Sequence, residues 1–120
     1  MTSRPFQVQS RLVGKTAIIY PNGYLNNLAG EGLVEECGKH AHAGIRKIIV
    51  NFKGTDLINS IGISFLLQIM EDLQAVGGTL CFTDMSRVHL DTFEMLGLNR
   101  HFRFFPDEEG ALQYLQVSKG

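Results

Sequence analysis

The sequence predicts an α/β domain built on a mixed β-sheet, with an N-terminal β-hairpin and about four helices in the order ββαβαβαβα. Three observations carry that expectation. Two strand-like segments flank Gly14-Lys15 near the start. Residues 47–83 read as an apolar strand, a long amphipathic helix and a second strand. The last two helical segments open on Ser86 and Pro106, residues that favour helix starts. A hairpin pairs its strands antiparallel and a long crossover pairs them parallel, so the sheet must be mixed.

In residues 6–13, apolar Phe6, Val8 and Leu12 are interleaved with polar Gln7, Gln9 and Arg11, the pattern of a half-exposed strand. Gly14-Lys15 turns the chain into a second strand over residues 16–20, which Pro21-Asn22-Gly23 should break. Helical spacing follows over residues 28–43, with Leu33, Val34, Cys37 and Ala41 on one face. Its acids lie towards the front and Lys39, His40 and His42 towards the back, an order that suits the helix dipole. Gly44 is its stop.

Residues 47–52 are apolar at consecutive positions, as expected for a strand in the middle of the sheet. The loop of residues 53–58 is longer than a minimal connection. A helix over residues 61–76 ends at Gly77-Gly78, and a strand over residues 79–83 follows. Ser86 should cap a third helix with Val88, Phe93 and Leu96 turned inward. Residues 101–105 form a short strand whose Phe102, Phe104 and Phe105 belong mainly to the core. Pro106 and the acids after it start a last helix with Ala111, Leu112 and Leu115 as its inner stripe. Residues 117–120 should fray.

At 120 residues the chain is expected to be one domain, residues 1–120, large enough for a core without staples. Apolar content of 44% and charge of 19% fit an ordinary globular protein, and a net charge of −1 argues against a nucleic-acid binder. Cys37 and Cys81 read as core residues in a reducing compartment. The first residues lack the apolar stretch of a signal peptide and no segment is long enough to span a membrane, so a cytoplasmic location is expected.

Chemical candidates thin out quickly. His40 and His42 diverge by about 200° on a helix, and no carboxylate is spaced to join them or His89 or His101, so no metal site is expected. The glycines do not form a phosphate-wrapping motif, and no cofactor is implied. Ser60 lacks a neighbouring base and a nucleophile-elbow setting, so nothing points to an enzyme. Ser60 is still notable, because it opens a helix where free N–H groups and the dipole favour an anion. It is either an ordinary cap or a place where a phosphate comes and goes. Gly62 and Ser64 keep the first turn small, so that a partner backbone could come close.

The run Asn59-Ser60-Ile61-Gly62, continued by Ile63, Leu66 and Leu67, resembles the Asp-Ser-Ser/Thr-Gly motif of the STAS-domain family, the bacterial anti-sigma factor antagonists. Gly23-Tyr24-Leu25-Asn26 resembles that family's Gly-x-Leu-Asp loop. Gly77-Gly78-Thr79-Leu80 and the stretch from Phe93 through Leu98 resemble its later landmarks. The resemblance implies a STAS-type sheet over nearly the whole chain. It also implies a non-catalytic switch that binds a serine kinase acting as an anti-sigma factor, with a phosphatase to reset it. Ser60 falls on the phosphoacceptor position. Asn26, Asn27, Asn59, Ser60, Ile61, Gly62 and Ser64 fall on the partner-binding surface. Asn59 and Asn26 replace the family's acids, which makes the surface more neutral. They also favour the alternative the family allows, a non-phosphorylated scaffold subunit of a signalling or lipid-transport assembly. Neither reading fixes the oligomeric state.

Overall fold

The computed structural model describes residues 7–117. Phe6, expected to open the first strand, and the chain end beyond Val117 lie outside the described residues. Strands β1 (Gln7–Val13) and β2 (Thr16–Leu25) form the expected antiparallel hairpin, with Val13 opposite Thr16. The two-residue turn places Gly14 at φ 59°, a conformation that favours glycine. Helix α1 (Asn27–His42) leads to β3 (Lys47–Asn51), and β4 (Thr55–Ile58) precedes α2 (Ser60–Ala75). Then come β5 (Thr79–Thr83), α3 (Arg87–Met95), β6 (Arg103–Phe105) and α4 (Glu108–Val117). The main sheet runs β1-β2-β3-β5-β6, and β3, β5 and β6 are parallel to β2. The mixed sheet and the parallel crossover through α2 are as the sequence predicts.

Two local features differ from that reading. Strand β2 does not stop at Pro21; it continues to Leu25 and changes neighbours on the way. Thr16 to Ile19 pair with β3, whereas Gly23 to Leu25 pair with β4, with a register shift between Gly23 and Tyr24. Pro21 lies between these two ladders, where its missing N–H breaks neither. The second feature is β4 itself, a sixth strand within the loop of residues 53–58. The Gly23 N–H donates to the Gly54 carbonyl at 3.0 Å, and the Thr55 hydroxyl donates to the Pro21 carbonyl.

The sheet separates two apolar layers. On one face Ala17, Ile19, Ile48, Val50 and Phe82 pack against Leu33 and Cys37 of α1, Leu66 and Ile69 of α2 and Phe93 of α3. On the other face Ile18, Ile49 and Cys81 meet Ala111 and Leu115 of α4. Burial pushes both thiols up, Cys37 to about 12 and Cys81 to about 11, so both are inert packing groups at neutral pH. Ser86 caps α3 as expected, but that helix buries Phe93 and His89 while Val88 is 70% exposed and Leu96 55%. A nine-residue helix has room for one i, i+4 pair facing inward, and the His89–Phe93 stripe takes it, turning Val88 by about 100° to solvent. Phe102 is buried, and Phe105 packs on Tyr114 of α4 with ring centroids 5.5 Å apart.

Polar contacts fasten the outer elements. Asp107 caps α4 by accepting from the Gly110 N–H at 2.9 Å. The Glu108 carboxylate accepts from Asn51 Nδ2 at 2.7 Å and Arg11 Nη2 at 2.8 Å, tying α4 to β3 and β1. Burial alone would raise Glu108, but hydrogen bonds with Tyr20, Asn51 and Arg11 hold it below the usual carboxylate range. Glu36 is also held low, first by the Ser10 hydroxyl at 2.6 Å and then, against burial, by Lys39 and His40. A carboxylate lowered by folding contributes stability above its unfolded value, and that contribution disappears as the pH falls through the folded one. Urea midpoints should therefore be highest near neutrality and decline below about pH 4.5, where free glutamate begins to protonate. Glu108→Gln should lower the midpoint at pH 7 and make the acid decline shallower. If the variant and the parent lose stability in parallel below pH 5, the Glu108 contribution is absent.

Candidate functional site

Two helix starts come together at the C-terminal end of the sheet. Leu25 of β2 pairs with Ile58 of β4, so the residues that follow, Asn26 and Asn59, open α1 and α2 side by side. Each asparagine is an N-cap. Asn26 Oδ1 accepts from the Ala29 N–H at 3.0 Å, and Asn59 Oδ1 accepts from the Gly62 N–H at 2.7 Å. The Asn59 N–H donates to the Leu25 carbonyl at 3.2 Å, which locks the two starts together. Further along, the Phe65 ring occupies the space where a Cβ on Gly30 would stand, so α1 and α2 pack closely just behind the caps.

Ser60 is therefore not the cap. It is the first residue of α2, it is exposed, and its hydroxyl has no hydrogen-bond partner among the described residues. Asparagine caps a helix as well as serine does, so Asn59 takes the structural role and leaves the Ser60 hydroxyl free. Neither α1 nor α2 carries an acid in its first turn, so no carboxylate there offsets the partial positive charge of either helix start. Asn27, Ile61 and Ser64 are exposed on the same two first turns. The Ser64 hydroxyl donates to the Ile61 carbonyl at 2.6 Å.

Gly62 is placed differently from the other candidates. It is buried, and a Cβ there would collide with the Leu25 carbonyl oxygen and come 3.1 Å from Leu25 Cγ. The close approach that needs a small residue is thus internal, between α2 and β2. Gly62→Ala should destabilise by about 1–3 kcal/mol through overpacking, despite alanine's better helix propensity. Gly38→Ala is the matched control, because nothing lies within 4 Å of its added Cβ. It should raise stability by about 0.5–1 kcal/mol. Urea unfolding of both variants checks the pair, and equal gains would remove the Leu25 contact from the account.

Two exposed apolar residues beside the helix starts, Leu28 and Leu57, were not singled out from the sequence as site residues, whereas Tyr24 was named with the Gly23–Asn26 loop. Tyr24 and Leu57 are register partners across β2 and β4, 42% and 60% exposed, and Leu28 near the start of α1 is 74% exposed. With Ile61, 48% exposed, they add exposed apolar side chains to the elements that carry or lead into the two helix starts. Other chemistry is thin. Ser10, Glu36 and His40 cluster between β1 and α1, with Ser10 Oγ 2.9 Å from His40 Nε2. Glu36 lies 3.6 Å from that same nitrogen, so the three form a clasp and not a relay through the ring. Among the described residues no group of three or more His, Cys, Asp or Glu could hold a metal ion, and no helix is long and apolar enough to cross a membrane.

Sheet order, crossover helices and paired helix starts define the class: this is the fold of the bacterial anti-sigma factor antagonists. An anti-sigma factor antagonist from Mycobacterium paratuberculosis superposes with a TM-score of 0.83 at 14% identity, covering 96% of this chain and 99% of that one. The Bacillus cell fate determinant SpoIIAA in its phosphorylated form gives 0.69 at 25% identity, covering 92% and 99%. SpoIIAA in its unphosphorylated form gives 0.73 at 22%, covering 95% and 100%. The chain belongs to the STAS domain family, whose model matches residues 7–111. No curated protein matches it significantly.

Proposed function

We propose that this chain is a non-catalytic regulatory STAS domain of the cytoplasm that binds a serine kinase acting as an anti-sigma factor. Phosphorylation of Ser60 releases that partner, and a phosphatase restores binding. The observation that carries the reading is the exposed, unpartnered Ser60 hydroxyl at the start of α2, with exposed Leu28 and Ile61 on the same two helix starts. A kinase needs a hydroxyl it can reach, and the cap at Asn59 leaves this one available. A protein partner gains affinity by covering Tyr24, Leu28, Leu57 and Ile61. Asn26, Asn27, Asn59 and Ser64 supply neutral polar contacts around them, and Gly62 acts from beneath by setting the position of α2. SpoIIAA, of the same fold, has been solved in phosphorylated and unphosphorylated forms, which is consistent with a fold that carries the modification.

A second reading is favoured by the two amide caps. With Asn26 and Asn59 in place of acids, the domain also suits a constitutive scaffold that no kinase addresses, in a signalling or lipid-transport assembly. Incubation with serine kinases from the same genome and ATP, read by intact mass, separates the two. One added phosphate that Ser60→Ala abolishes supports the switch. No modification, with partner binding unchanged in Ser60→Asp, leaves the scaffold.

A further inference from the structure

The opposite end of the sheet holds a cleft that the Ser60 surface does not use. Strand β6 is the last in the sheet order and pairs with β5 only from Cys81 to Thr83. Thr79 and Leu80 of β5 therefore have no β6 partner, and they border a cavity of about 790 Å³ together with all three residues of β6. Met70 and Gln74 of α2 wall one side and Tyr114 of α4 the other. Gln74 is fourteen residues along α2 from Ser60, a separation of roughly 20 Å at the helical rise.

The charge of this cleft is one-sided. Arg100, His101 and Arg103 line it, no carboxylate does, and the chain as a whole carries a net charge of −1. Three cations elsewhere have acid partners: Arg11 pairs with Glu108, Lys39 with Glu36 and Arg87 with Asp91. Among the described residues Arg100 and Arg103 have no such acid. The Arg103 guanidinium lies 4.9 Å from the centre of the Tyr114 ring, which positions it without using its N–H donors. Charged residues on an edge strand serve to keep copies apart. A concave cleft lined by two arginines, walled by helices on both faces and bordered by strand residues with no neighbour on their β6 side, also has the parts for recognition.

We propose that this cleft docks an extended acidic peptide segment of a protein partner. The segment lies along the open outer edge of β6 as an added strand, with one end reaching the cleft at Thr79 and Leu80, and main-chain hydrogen bonds supply register. Its Glu or Asp side chains pair with Arg100 and Arg103, whose planar donor forks match carboxylates. The site acts independently of Ser60, so a partner held here stays bound whatever the state of that serine.

The test is titration of isotope-labelled protein, followed by backbone NMR, with three probes: a short peptide alternating Glu and Val, its Lys–Val counterpart, and inorganic phosphate. The Glu–Val peptide should bind saturably, shift signals of residues 79–80 and 100–105, and weaken as salt rises. The double variant Arg100→Ala, Arg103→Ala should weaken it about tenfold or more, as loss of charge-assisted hydrogen bonds requires. Arg87→Ala, on exposed α3, should bind as the parent does. The proposal is overturned by no saturable binding, by equal binding of the Lys–Val peptide, by shifts centred on Ser60, or by phosphate alone reproducing the response. Both arginines are exposed, and an unchanged spectrum outside the cleft verifies that the double variant is folded.

Discussion

Phe82→Ala should lower the unfolding free energy by about 3–5 kcal/mol, the range for deleting a buried aromatic side chain. Phe82 has no exposed surface, and it is the hub of an aromatic cluster on the face of the sheet covered by α1, α2 and α3. Its ring stacks on Phe102 at 4.6 Å and meets Phe52 edge-on at 4.9 Å, with Phe104 and Phe93 at 5.8 and 6.2 Å. These partners come from the residues after β3, from α3, and from the β6 region, so one deletion loosens three otherwise separate attachments to β5. Total stability for a domain is only about 5–15 kcal/mol, and the loss should move the urea midpoint far towards zero. Phe82 and Phe102 should also couple: the double alanine variant should cost about 0.5–1.5 kcal/mol less than the sum of the singles. Additive single and double losses would mean that the stacked pair has no energy beyond its burial.

That cluster was only partly legible in the sequence. Phe82 lies in an apolar run short enough to be a buried strand, and Phe93 recurs at helical spacing, so local pattern places both inward. The contact with Phe102 depends on where the turn before β6 folds back, which no local period encodes. The same limit governs the other differences. The hairpin and the α2 crossover are carried by neighbouring residues and are readable. Strand β4 is four residues long and exists because Gly54 and Thr55 bond to Gly23 and Pro21, more than thirty positions earlier. Pro21 reads as a break because a proline normally ends a ladder, yet here it lies between two. At the site, Asn59-Ser60 is visible as a helix start, but which of the two caps depends on geometry. The pairing of Tyr24 with Leu57 depends on the β2–β4 register and so was hidden along with β4. Val88 and Leu96 show the converse, since Val88 is one helical step from the buried stripe and Leu96 is the C-cap beyond it, and both are left outside.

Ser60→Asp should weaken the proposed partner complex by about 100-fold or more while leaving the domain as stable as the parent or slightly more so. The two halves follow from one location. In the free protein an anion at the first position of α2 faces the unopposed N–H groups of a helix with no acid in its first turn, which favours it by about 0.3–1 kcal/mol. In the proposed complex the same charge is enclosed by the partner together with exposed apolar side chains on the helix starts, Leu28 and Ile61. A charge taken out of water without a partner costs several kcal/mol, and about 1.4 kcal/mol is tenfold in affinity. A phosphate, carrying about −1.5 to −2 charges, should act more strongly still. Ser60→Asn has the size of the aspartate without its charge, and it should keep most of the binding. Calorimetric titration of the three proteins with the partner they share decides the matter: an asparagine variant as weak as the aspartate would make the effect steric, and the charge would then play no part in release. The buried Gly62 and the caps at Asn26 and Asn59 should stay in place throughout, because nothing in this switch requires the sheet or the helix starts to move.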